Sequence, residues 1–402
     1  MTRISSPSAV RRSLLDRIVP REALRALEPG QTPRVSNVEL FFDLVYVFTI
    51  IQLSHFLLAH QSLVGVLEAA TLFAAVWWAW NYTAWATNWL NPDHRSGRLL
   101  MVVLMACALL MAAALPEAYS DRAGLFAGAY VAMALIRAGY MALVFRGQRM
   151  SRNYLQLGAW SALSGLCWIA GALLPEQRIW LWLLAVGLDY AAPYAGFWLP
   201  GAGCTAMESW PLRGLHLLER NQQVFIIALG ESILLLGAML VDNPLHADML
   251  FTAAIGFLLI VSLWWLYFVH LTETGEHRLS HAAEQTRLAR AGLAYAHGVM
   301  VCGAIVTAVA IEMVVAHPLQ AIHAPTALAA AAGPSIFLFG SAFFLHVMTR
   351  TARSVYLVAV AFLAGWCTLV LTLHLSGLLL AAGVLAIMLV LCSYEHLKAA
   401  RQ

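Results

Sequence analysis

Runs of about 20 apolar residues recur along this 402-residue chain, roughly the length a helix needs to cross 30 Å of hydrocarbon. This feature constrains the fold most, because backbone polar groups in lipid must bond within their own segment. Only helices or closed barrels meet that demand. The expected fold is all-α: a polytopic integral membrane helix bundle. Only 11% of the residues are charged, against about 25% in soluble domains.

Twelve spans are expected, near 38–58, 64–87, 99–116, 124–144, 154–174, 180–199, 223–241, 249–270, 291–314, 326–347, 355–374 and 378–394. Placing both termini in the cytoplasm puts 21 of the 24 Lys and Arg residues on that side, with Arg122 and Arg178 opposite and Arg137 inside a span. This is the positive-inside pattern, and an odd number of spans would spoil it. The expected organisation is a basic cytoplasmic arm (1–37), a first membrane half (38–199), a cytoplasmic linker (200–222), a second half (223–394) and a short tail (395–402). The arm has no signal-peptide core. Its stretch from Leu14 to Leu27 reads either as an amphipathic segment on lipid headgroups or as a disordered basic tail. The loops are too short for a nucleotide-binding domain and no phosphate-loop motif is present, so ATP-driven transport within the chain is not expected. The net charge of +3 is spread over many loops, which argues against a nucleic-acid partner. Membrane lipids are the expected partner, and a homo-oligomer is open.

Four charges lie deep in apolar runs: Asp43, Arg137, Asp189 and Glu231. Each costs about 2.5–3.5 kcal/mol at the bilayer centre on insertion scales, so each needs a partner or a task. In the first span Glu39, Asp43, Tyr46 and Ser54 share one helical stripe, while Phe41, Leu44, Val45, Phe48 and Ile51 face away. Asn81 lies deep in the second span on one face with Trp77 and Trp85. Arg137 with Asp189 reads as a charge-balancing pair. Asp43 and Glu231 then remain as carboxylates for a small cation or a proton, with Glu39 as an entrance group on the cytoplasmic side. His55, His297, His346 and His374 read as satisfied polar groups, and no metal or cofactor is expected. Gly124-x-x-x-Gly128 reads as ordinary close packing within the chain.

The halves also rhyme. Glu39 opens a span that is followed by Trp77-Trp78-x-Trp80, and Glu219 opens one that is followed by Trp264-Trp265-x-Tyr267. Two six-helix repeats of the same orientation would produce this.

Several of these segments resemble the bacterial low temperature requirement A family. They are Val38 to Phe48 continuing to Gln52-Leu53-Ser54-His55, Trp77 to Tyr82, and Glu219-Arg220 through Ile227-Ala228-Leu229-Gly230-Glu231-Ser232. Trp264 to Phe268, Tyr295-x-His297 and His317-Pro318 complete the set. Family members usually carry an E-R-[HF]-G-like stretch where this chain has Glu219-Arg220-Asn221-Gln222. The resemblance implies a bacterial inner-membrane protein named for growth in the cold, and no established substrate. A fainter likeness, through Phe41-Phe42-Asp43, runs to lysosomal potassium channels built from six-helix repeats. The leading expectation is a transporter or channel-like protein with cation or proton coupling. The alternatives are a membrane enzyme acting on lipids or lipid-linked groups, and a scaffold or sensor. No catalytic motif favours the enzyme.

Overall fold

The first helix begins where its capping residue stands. Ser36 accepts from the Glu39 backbone N–H, and the Glu39 carboxylate accepts from the Ser36 N–H, a reciprocal capping box that starts α1 at Asn37–Ala59. In the computed structural model, which describes residues 19–25, 34–206, 209–242, 244–282 and 284–400, eleven further helices follow. They are α2 (Leu63–Trp89), α3 (Arg95–Ala114), α4 (Ala123–Val144), α5 (Arg149–Leu173), α6 (Arg178–Ala191) and α7 (Gly214–Asp242). The remainder are α8 (Ala247–His281), α9 (Gln285–Ala316), α10 (Ala324–Thr349), α11 (Ser354–Thr372) and α12 (Gly377–Ala399). Ten are long and apolar enough to cross a membrane; α5 and α6 are not among them.

Three expected boundaries move, each for a local reason. The sixth span does not continue to 199. Pro193 cannot extend the ladder, so α6 stops at Ala191 after 14 residues, or about 21 Å. The chain then turns through positive φ at Gly196, Phe197, Gly201 and Gly203. The expected loop at 200–222 gives way to helix at Gly214, where α7 starts and takes in Glu219 and Arg220. The expected loop at 271–290 is also largely helical. α8 runs to His281 through a π-helical turn at Leu266–Leu271, and α9 starts at Gln285 with another at Ala289–Ala296. His297, which follows the second π segment, links the two: its Nε2 lies 2.9 Å from the Tyr267 hydroxyl, and its Nδ1 lies 2.7 Å from the Gly292 carbonyl. The tight turn at Leu375-Ser376-Gly377 is present, with Ser376 capping α12.

The N-terminal segment 19–25 lies on protein. Val19 and Ala23 are buried, the Arg25 N–H donates to the Trp89 carbonyl at 2.8 Å, and Arg21 donates to the Arg146 carbonyl. The rest of the lipid-binding or disordered segment expected over Leu14 to Leu27 lies outside the described residues.

In the first half, α1 packs on α2 and α3, α3 on α4, α4 on α5, α5 on α6, and α2 on α6. In the second, α7 packs on α8 and α9, α9 on α10, α10 on α11, α11 on α12, and α8 on α12. The halves meet chiefly where α1 contacts α7 and α9. The outer surface is apolar, with Phe41, Leu44, Leu99, Leu166, Phe251 and Val390 exposed, as hydrocarbon contact requires. At Gly124 and Gly128 an added side-chain carbon would meet nothing within 4 Å among the described residues, so neither glycine serves close packing there.

Candidate functional site

The polar stripe of α1 faces inward. Glu39, Asp43 and Ser54 are completely buried and Tyr46 nearly so, whereas Phe41 and Leu44 are exposed. Opposite lies α7, where His216 and Arg220 stand four residues apart, as Glu39 and Asp43 do on α1. Four-residue spacing stacks side chains on one helical face, so two pairs can meet across the helix seam. Arg220 bridges both acids. Its Nη2 donates to Asp43 Oδ1 at 2.6 Å, its Nε to Asp43 Oδ2 at 3.2 Å, and its Nη1 to Glu39 Oε1 at 3.2 Å and Thr87 Oγ1 at 3.1 Å. The Trp80 indole N–H donates to Asp43 Oδ1 at 2.8 Å.

Glu39 is shared as widely. His216 Nε2 lies 3.1 Å from Oε1, and Oε2 accepts from Arg25 at 3.0 Å besides capping its own helix. Two carboxylates and two guanidiniums therefore close a neutral network across α1, α2, α7 and the 19–25 segment. Glu39 is a fully buried member of it, so the entrance-group expectation does not describe its surroundings. Asp43 is neutralised by Arg220, a residue that the sequence pattern assigned to a cytoplasmic loop.

Among the described residues, Arg137 and Asp189 make no ion-pair contact with each other. Arg137, on α4, donates from Nη1 to the Ala79 carbonyl at 3.1 Å and Thr83 Oγ1 at 3.0 Å, and lies over the Tyr82 ring. Asp189, on α6, instead accepts from the Tyr130 hydroxyl at 2.6 Å, the Ser164 hydroxyl at 2.5 Å and the Trp168 indole at 3.5 Å. Neutral donors meet its needs, so sign alone was a poor guide to partners. Removing one donor with Tyr130→Phe is expected to cost about 1–2 kcal/mol, the range for a buried bond between helices, read as a fall in Tm of the detergent-solubilised protein.

Glu231 is different. It is fully buried on α7, and neither carboxylate oxygen has a hydrogen-bond partner among the described residues. The groups acting on it are the Ser54 hydroxyl of α1 and the Glu312 carboxylate of α9, which in turn feels His55. Ser54 Oγ is buried and makes no bond of ordinary geometry to Glu231 or any other described residue, and neither does the Tyr46 hydroxyl. Glu312 was legible as a further acid within the ninth span; its place near the helix end hid its relation to Glu231.

Asn81 is buried and lines a cavity of about 30 Å³ with Trp78, Trp85, Trp210, Arg137 and Arg290. Among the described residues, no group of three or more His, Cys, Asp and Glu is placed to hold a metal ion.

A helical bundle with a lipid-facing apolar surface and a buried ionic network defines a multi-pass membrane protein. The chain matches the bacterial low temperature requirement A family over residues 34–393, and it belongs to that family. A Rhizobium meliloti protein, described as uncharacterized, is 34% identical over 386 residues, covering 94% of this chain and 93% of its own. No solved structure matches.

Proposed function

We propose that this protein moves a proton or a small cation across the bacterial inner membrane, with Glu231 as the group that takes it up. The observation that carries this reading is the pair of bondless carboxylate oxygens on Glu231, enclosed among membrane helices. A buried carboxylate without donors favours whatever neutralises it, a proton or a cation. Ser54 and Glu312 extend the same polar patch onto two other helices, which is how a relay of acids would be built. Asp43 has the separate task of holding α1 to α7 through Arg220.

Both termini are placed in the cytoplasm, on the support of the Arg-rich loops. The two halves are read as six-helix repeats of like orientation, and the support is the helix pairing. Each packing pair named above for α1–α6 has its counterpart six helices later. The α1–α7 contact would then join the equivalent first helices of the two repeats, where paired repeats place their central polar sites.

The test is flux through liposomes holding the purified protein, with proton-, potassium- and sodium-sensitive dyes. Wild type should pass at least one of the three, and Glu231→Gln, nearly isosteric and always neutral, should reduce that flux at least tenfold with its Tm preserved. Equal flux from the two proteins would remove Glu231 from the path. Absence of flux for all three ions would overturn the transport reading.

A further inference from the structure

We infer that the cavity around Arg137 is a binding site for a small carboxylate, the size of acetate. The inference rests on the cavity alone and stands whether or not Glu231 carries a proton.

Arg137 is 2% exposed, yet the described residues give it only a carbonyl and a hydroxyl as partners, both through Nη1. No described hydrogen bond or ion pair uses its Nε or Nη2. These two donors are the parallel pair that a carboxylate engages with both oxygens. Among the described residues no carboxylate makes an ion pair with this desolvated guanidinium, and a bound anion would supply one.

The walls narrow the ligand class. A second guanidinium, Arg290, lines the same cavity, while no Asp or Glu lines it among the described residues. Aromatic rings often cage organic cations. Here the Arg137 guanidinium stands among the rings and repels such a ligand. The rest of the lining is largely apolar, from Trp78, Trp85, Tyr154 and Leu157 to Trp210. This suits one charged head with a methyl-sized body better than an ion polar on every side. A volume of about 30 Å³ holds two or three waters at roughly 10–15 Å³ each, which matches a ligand of about four heavy atoms.

The test uses the full chain in detergent micelles and saturation-transfer NMR with acetate, acetamide and chloride as probes. Acetate should bind saturably in the millimolar range, acetamide at least tenfold more weakly, and chloride should compete poorly. Arg137→Gln should weaken acetate at least tenfold. Leu157→Phe fills the cavity without touching its charges and should do the same, which keeps the test decisive if Arg137→Gln fails to fold. Four results would each overturn the inference: no saturable acetate binding, equal binding of acetate and acetamide, full displacement by equimolar chloride, or unchanged acetate affinity in a folded variant of either residue. Because the readout is binding and the residue is Arg137, failure here is distinct from failure of the flux experiment at Glu231.

Discussion

Replacing Arg220 with Met should leave a protein that barely accumulates in the membrane, and whose purified remainder melts far below wild type. The expected loss is about 3–5 kcal/mol, the cost of stranding buried charges when one partner is removed. Arg220 makes four hydrogen bonds from a side chain with no exposure, three of them to Glu39 and Asp43. Arg220→Lys should fall between, because an ammonium cannot span both Asp43 oxygens, Glu39 and Thr87 from one point. The loss should be non-additive. Asp43→Asn alone also breaks the bridge, so Asp43→Asn with Arg220→Met should cost at least about 1 kcal/mol less than the sum of the two. Thermal unfolding followed by tryptophan fluorescence reads all four proteins. A wild-type melting point for Arg220→Met would show that the bridge contributes nothing.

The second large effect is expected at Gly303. In α9 its position leaves no room for a side chain: a Cβ there would collide with the Phe337 backbone nitrogen and the Gly333 carbonyl of α10. The facing Gly333 is equally tight against Thr307, and Gly340 against Met300. Backbone meets backbone along this seam, so the helices cannot accommodate a branched residue by moving one flexible side chain. Gly303→Val should cost about 3 kcal/mol or more, at the upper end for overpacking. Gly124→Val, on the outer face of α4 with nothing within 4 Å, should change stability by less than about 0.5 kcal/mol. Size-exclusion profiles and melting points of the two variants check the contrast. Equal melting points would mean that α9 and α10 separate at little cost.

The helices were largely legible in the sequence because lipid permits so few alternatives. The α1 stripe was legible too: in a hydrophobic run, Glu39, Asp43, Tyr46 and Ser54 stand out by period alone, and all four are turned inward. Arg220 was not, although it is the main partner of two of them. It sits among Glu219, Asn221, Gln222 and Gln223, a run whose polarity reads as loop. Hydropathy does not show that a helix starts upstream at Gly214 and carries this run along α1. The informative signal was spacing, since His216 and Arg220 repeat the four-residue interval of Glu39 and Asp43. Opposite signs at similar depth suggest an Arg137–Asp189 pair, yet no ion-pair contact joins the two among the described residues. Hydroxyl and indole groups on Tyr130, Ser164 and Trp168 satisfy the acid instead, and such groups read as apolar wall or small packing residue in a span. Pro193 lay in plain view inside the expected sixth span, and its backbone chemistry outweighed the apolar character of its neighbours.

The bridge between Asp43 and Arg220 spans 177 residues, and that separation sets a clock on biogenesis. At roughly 5–20 residues per second, a ribosome exposes the two acids of α1 about 9–35 s before it makes the arginine that neutralises them. Glu39 is covered in that interval by neighbours made almost at once, Ser36 three residues away and Arg25 fourteen. Asp43 has no such local cover, and Trp80, its first described donor, follows 37 residues later. The first helix thus spends that interval carrying Asp43 without its cationic partner. Its neutralised, final state in the bilayer is tied to the arrival of the seventh helix.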